Sequence, residues 1–222
     1  MDLLKLLRGL EDLVVEIALW IVLLPRTLWR VIVSPVALAR YFDQIQATAP
    51  ADRDDEYLSP VLFWLLLAPV SLVLWLTHDN KAALALYGAQ PQEQIATGSL
   101  MLLAPPLGFA VASAWIRREQ MSRRTLGRHF AMQCYFHAPF ACAFVLSFAL
   151  QPRFGENIAT LVLGIALTWF CVAEFRVARR DTAVGLALKF VALGCALAFL
   201  LMFAVASIIF YSAVLRGRTP AP

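Results

Sequence analysis

Two apolar runs, 95–116 and 130–150, stand either side of a basic knot at 117–129. This arrangement restricts the chain more than any other feature. Each run holds about twenty residues, enough for a helix to cross roughly 30 Å of hydrocarbon. The knot sets Arg117, Arg118, Arg123, Arg124 and Arg128 against a single acid, Glu119. Arginine of this density holds a loop on the cytoplasmic side, so the stretch reads as a membrane hairpin. The knot, with His129, carries no interleaved aromatics and no nucleic-acid motif, and no nucleic-acid partner is expected. Its expected role is to fix topology and to meet anionic lipid headgroups.

Composition agrees with the hairpin. The chain is 61% hydrophobic and 15% charged, with a mean hydropathy of +0.71, whereas a soluble domain carries about 25% charged residues. The expected fold is all-α: a polytopic membrane helix bundle of five transmembrane helices with an N-terminal interfacial amphipathic helix. Cys134, Cys142, Cys171 and Cys195 all fall in apolar runs, where cysteine acts as a small hydrophobe, so no disulfides are expected. The N-terminus mixes acids and bases, and no small-residue cleavage site follows its apolar part. No cleavable signal peptide is therefore expected.

Residues 1–42 read as interfacial helices. Leu3, Leu7, Leu10, Val14, Ile17, Ile21 and Leu24 recur at helical spacing, opposite Asp2, Lys5, Asp12 and Glu16, and Pro25 ends or kinks this helix. Its uninterrupted apolar part is short for a span, so it lies in the interface or dips into it rather than crossing. Arg26 and Arg30 share a face beyond Pro25, beside Trp29, at the level of the headgroups. Residues 43–59 form a polar linker with an acidic cluster at Asp52, Asp54, Asp55 and Glu56. A five-span domain occupies 60–212, with spans at 60–77, 95–116, 130–150, 158–175 and 183–211. Turns follow at 78–94, 151–157 and 176–181, and a short external tail covers 213–222.

Lysine and arginine fix the orientation. Six precede the first span, five lie in the knot and three follow the fourth span, against four in the segments assigned outside. The bias predicts a cytoplasmic N-terminus and an external C-terminus in a bacterial inner membrane.

Few residues offer chemistry. Pro69, Pro105, Pro106 and Pro139 lie near mid-span, and each frees a backbone carbonyl that lipid cannot satisfy. They read as kinks within a packed bundle, or as the broken helices of a transporter site. His137 lies in the third span one turn beyond Cys134, too few ligands for a metal, though an ionisable group at that depth is a functional candidate. Glu174 and Lys189 lie near the basic end of adjacent spans and are expected to pair. Gly185, Ala192, Gly194, Ala196 and Ala198 allow close approach of a neighbouring helix, within the bundle or between protomers. No catalytic, dinucleotide or phosphate-loop motif occurs, and no cofactor or metal is expected.

Two stretches carry a family resemblance. They are RRTLGRHFAMQCYFHAPF at 123–140, with Tyr135 four residues before Pro139, and LTWFCVAEFRVARRDTAVGLALKF at 167–190. Over about 57–212 the chain resembles the Yip (Ypt-interacting protein) domain superfamily, in its bacterial branch. The resemblance implies a non-enzymatic membrane protein concerned with trafficking, membrane organisation or partner assembly, and it leaves the N-terminal 56 residues unexplained. The expected function is that of a scaffold or accessory subunit, partnered by the lipid bilayer and by other membrane subunits or its own copies. The alternative is a transporter or channel for a small solute or lipid.

Overall fold

The computed structural model describes residues 3–47, 56–67 and 91–217. Seven helices and no strand occur among them. They are α1 (Leu3–Val33), α2 (Pro35–Ala47), α3 (60–67), α4 (Pro91–Ile116), α5 (Arg123–Phe154), α6 (Glu156–Asp181) and α7 (Val184–Gly217). Three stretches are long and apolar enough to cross a membrane: Arg123–Ser147, Glu156–Asp181 and Val184–Ile208. The pair Leu13–Val33 and Pro35–Ala47, bent by 119°, makes a fourth if it is counted as one span. Pro69 and the acids Asp52, Asp54 and Asp55 lie outside the described residues.

The apolar periodicity gives helices where the sequence predicts them, but several limits move. Pro25 does not end the first helix; α1 continues to Val33. Pro25 is exposed on its outer side, and the break falls instead at Ser34, which precedes Pro35 and is therefore disfavoured in helical conformation. The expected linker at 43–59 begins as helix, because α2 extends to Ala47. Its buried face, Pro35, Leu38, Ala39 and Phe42, packs on the bundle. The expected turn at 176–181 is the last turn of α6, and the chain reverses at 182–183. The expected tail is helical to Gly217. As a helix of 34 residues, α7 is about 51 Å long, so it must tilt or project from a bilayer.

Pro105 and Pro106 sit inside the continuous helix α4, and Pro139 inside α5. Both helices run unbroken through these positions. Proline is tolerated within membrane helices where neighbouring groups satisfy the freed backbone.

The tightest packing joins α4 to α7. A Cβ on Gly108 would lie 2.6 Å from the backbone nitrogen of Ala198, and one on Gly194 would lie 2.5 Å from the Phe109 ring. Thus two of the small residues on α7 are used within the bundle. Gly185 meets nothing within 4 Å, and Ala192 and Ala196 face outward. At the centre Phe109, Phe170, Phe190 and His137 meet mostly edge to face, with centroids 4.7–5.7 Å apart. Outside, α6 and α7 expose Leu161, Ile165, Phe199, Leu200, Phe203 and Ile208. An apolar exterior around a core that holds the polar groups is the inverse of a soluble bundle and suits hydrocarbon. The stripe residues Val14, Ile17 and Ile21 of α1 also point outward, while Thr27 and Val31 face the bundle.

Candidate functional site

The basic knot is built by two local devices. At the end of α4 the N–H of Glu119 donates to the Ala114 carbonyl at 3.0 Å, and that of Arg118 to the Trp115 carbonyl at 2.9 Å. This is the helix-terminating motif that ordinarily places glycine in left-handed conformation; here Arg118 takes it, with φ 54°. Three residues on, Ser122 caps α5, its Oγ accepting from the Thr125 N–H at 3.1 Å. The tight reversal folds Glu119 back over the start of α5.

Ion pairs then close the basic end. Arg128 donates to both Glu119 carboxylate oxygens, at 3.0 and 2.9 Å. His129 Nε2 lies 3.1 Å from Glu119, and its Nδ1 lies 3.0 Å from Ser113 Oγ. Arg117 reaches across to Asp181 at 3.0 Å. Arg180 bridges Asp181 at 2.8 Å and Asp43 of α2 at 2.6 Å, which ties the N-terminal helices to the bundle. Burial alone raises the Glu119 carboxyl, but the hydrogen bond and charge of His129, then the charges of Arg128 and Arg117, hold it below the usual glutamate value.

Inside this rim lies a cavity of about 930 Å³ bounded by α2 and α4–α7. Its mouth includes the exposed Arg124 and Arg128. Its floor includes Gln133, Glu174 and Phe190. Glu174 is fully buried, and its Oε2 accepts from Gln133 Nε2 at 3.2 Å. Two acceptor atoms remain without a partner there, Glu174 Oε1 and Gln133 Oε1, as does the donor Arg180 Nη1 at the rim. One turn deeper, His137 Nδ1 donates to the Gln133 carbonyl at 3.0 Å, while its Nε2 has no partner and its ring lies among Phe109 and Phe170.

The expected site residues therefore separate into groups. Glu174 lies at the cavity floor, with His137 just beneath it. Lys189 does not join Glu174: it is exposed on α7, and the partner of Glu174 is Gln133. Tyr135 faces elsewhere, donating to the Leu58 carbonyl at 2.6 Å. Pro106 and Pro139 are buried packing positions, and Pro105 is half-buried. Among the expected headgroup arginines, Arg117 and Arg128 hold carboxylates. Arg26 lies 3.6 Å from Glu56 and over the Tyr57 ring, while Arg30, Arg118, Arg123 and Arg124 are exposed. Among the described residues no group of three or more histidine, cysteine, aspartate or glutamate side chains gathers as metal ligands, and the four cysteines are free. Gln133, Arg180, Asp181 and Asp43 are the residues that sequence reasoning missed. Gln133 carried a usable signal, an amide inside an apolar run.

No family model, no curated protein and no solved structure matches this chain.

Proposed function

We propose that this is a non-enzymatic integral membrane protein that serves as a scaffold or accessory subunit. It has five spans, at 60–77, 95–116, 130–150, 158–175 and 183–211, in a bacterial inner membrane, with its N-terminus cytoplasmic and its C-terminus external. The Yip-like resemblance of 57–212 belongs to the same proposal. The vestibule then opens to the cytoplasm, and the exposed Arg30, Arg118, Arg123 and Arg124 meet anionic headgroups there. Partners bind the cytoplasmic platform that α1 and α2 make beside it.

The observation that carries this reading is the aromatic packing beneath the vestibule. Phe109, Phe170 and His137 pack edge to face on the bundle axis, and none of the three is among the residues that line the cavity. The unbroken course of α4 and α5 supports the same view. A transporter or channel for a small solute or lipid is the second reading. The unpartnered Glu174 oxygen favours it, because ionisable groups within a bundle commonly mark ion or substrate paths.

Reconstitution separates the two. The expected result is no flux of protons or small solutes into liposomes, with a stoichiometric second polypeptide in particles extracted in native lipid. Flux abolished by Glu174→Gln in a folded protein would overturn the scaffold reading.

A further inference from the structure

Independently of the scaffold reading, we infer that Glu174 and Gln133 form a binding site for the ammonium group of a small primary amine, reached through the vestibule. Two acceptor oxygens, the carboxylate Oε1 of Glu174 and the amide Oε1 of Gln133, are buried and without donors on side chains that line the inner part of the cavity. Buried acceptors of this kind cost free energy until a donor reaches them, and a buried carboxylate more so. What fits is a compact group rich in donors and positive in charge. An alkylammonium has three N–H donors. Two satisfy the free oxygens, and the charge meets both the carboxylate and the Phe190 ring, which also borders the floor.

Other cations fit less well. A hard metal ion needs about six or more oxygen ligands, and the floor offers one carboxylate and one amide. A quaternary ammonium has the charge but no donor, so it leaves both oxygens unsatisfied. The rim carries Arg117, Arg124, Arg128 and Arg180 against Glu119, Asp43 and Asp181. All of these arginines but Arg124 are paired with those acids, so the rim's net positive charge is small beside the Glu174 carboxylate below it.

The test uses the full chain in phosphatidylcholine nanodiscs, titrated calorimetrically with ethylammonium chloride and with tetramethylammonium chloride, against empty nanodiscs. Ethylammonium is expected to bind saturably at one site, and tetramethylammonium at least about tenfold more weakly, since charge-assisted hydrogen bonds are lost. Glu174→Gln, checked for fold by circular dichroism and monodispersity, is expected to weaken ethylammonium by at least about tenfold. Gln133→Met preserves the side-chain bulk and is expected to weaken it as well, which keeps the test decisive if Glu174→Gln fails to fold. Absence of saturable ethylammonium binding overturns the site. So does equal binding of the two cations, or wild-type affinity in either folded variant.

Discussion

The hydroxyl of Tyr135 donates to the carbonyl of Leu58 at 2.6 Å, joining α5 to the segment that leads into α3. The N–H of the same buried Leu58 donates to Thr27 Oγ1 at 3.1 Å, and the Thr27 hydroxyl donates to the Leu23 carbonyl at 2.7 Å. One residue thus has its two backbone groups satisfied from α1 and α5, which lie far apart in sequence. Tyr135→Phe keeps the ring against Phe42 and Phe63 but strips the donor from a buried carbonyl. The expected loss is about 1–3 kcal/mol, seen as a lower Tm in nanodiscs. A Tyr135→Phe, Thr27→Val double-mutant cycle should be non-additive, because both act on Leu58. An unchanged Tm in Tyr135→Phe would refute the link.

Gly155 alone separates α5 from α6, with φ 84° and ψ 169°. That region is essentially closed to residues with a Cβ, although the space around the position is open. Gly155→Ala is expected to cost about 1–3 kcal/mol through backbone strain alone. Gly127, which also has open space around it but lies inside α5 at ordinary φ, is the control. Gly127→Ala should be neutral or stabilising by up to about 1 kcal/mol. The two melting curves should therefore move in opposite directions or differ clearly in size.

The helices were legible because apolar length and periodicity act locally. The hairpin around Arg117 and Ser122 follows from two long runs and a charged gap. Helix ends were less legible: Arg176, Arg179, Arg180 and Asp181 look like a turn, yet a helix tolerates charges in its final turn, and basic ones there suit its dipole. Glu174 and His137 stood out as ionisable groups in apolar surroundings. Their partners did not, because partner choice depends on helix rotation. Lys189 is close to Glu174 along the chain but emerges on the outer face of α7, while Gln133, 41 positions away, meets the carboxylate. The Asp43–Arg180 pair spans 137 positions, and only the packed bundle brings it together.

Glu119 should make the basic end acid-sensitive. Its carboxyl is held below the ordinary value of 4.5 by His129, Arg128 and Arg117, against the opposing effect of burial. It therefore binds a proton less readily in the folded protein than in the unfolded chain. Its contribution to stability is complete above the unfolded value and is lost as pH falls through the lower folded value. Glu119→Gln has no such proton to bind. The Tm difference between wild type and Glu119→Gln should shrink from about pH 6 to about pH 3. A difference that stays constant over that interval would show that the carboxylate does not stabilise the turn.

Arg180 should hold α2 on the bundle. Its guanidinium bridges Asp43 and Asp181, and the Trp169 Nε1–H donates to the Ile32 carbonyl at 3.0 Å on the same side. Asp43 is half exposed, so its pair is screened, and Asp43→Asn is expected to cost no more than about 1 kcal/mol, less at high salt. Arg180→Ala releases both carboxylates and should cost more. Local opening is the sharper readout. Gln46 lies on α2 at the cavity wall. A cysteine introduced there, in a Cys195→Ala background that removes the exposed native thiol, should react faster with a charged maleimide once Arg180 is replaced by alanine. Arg179→Ala, at an exposed neighbour on α6, should leave the rate unchanged. Equal rates in the two variants would mean that α2 is held by its apolar face, Leu38, Ala39 and Phe42, and that the ion pair only decorates it.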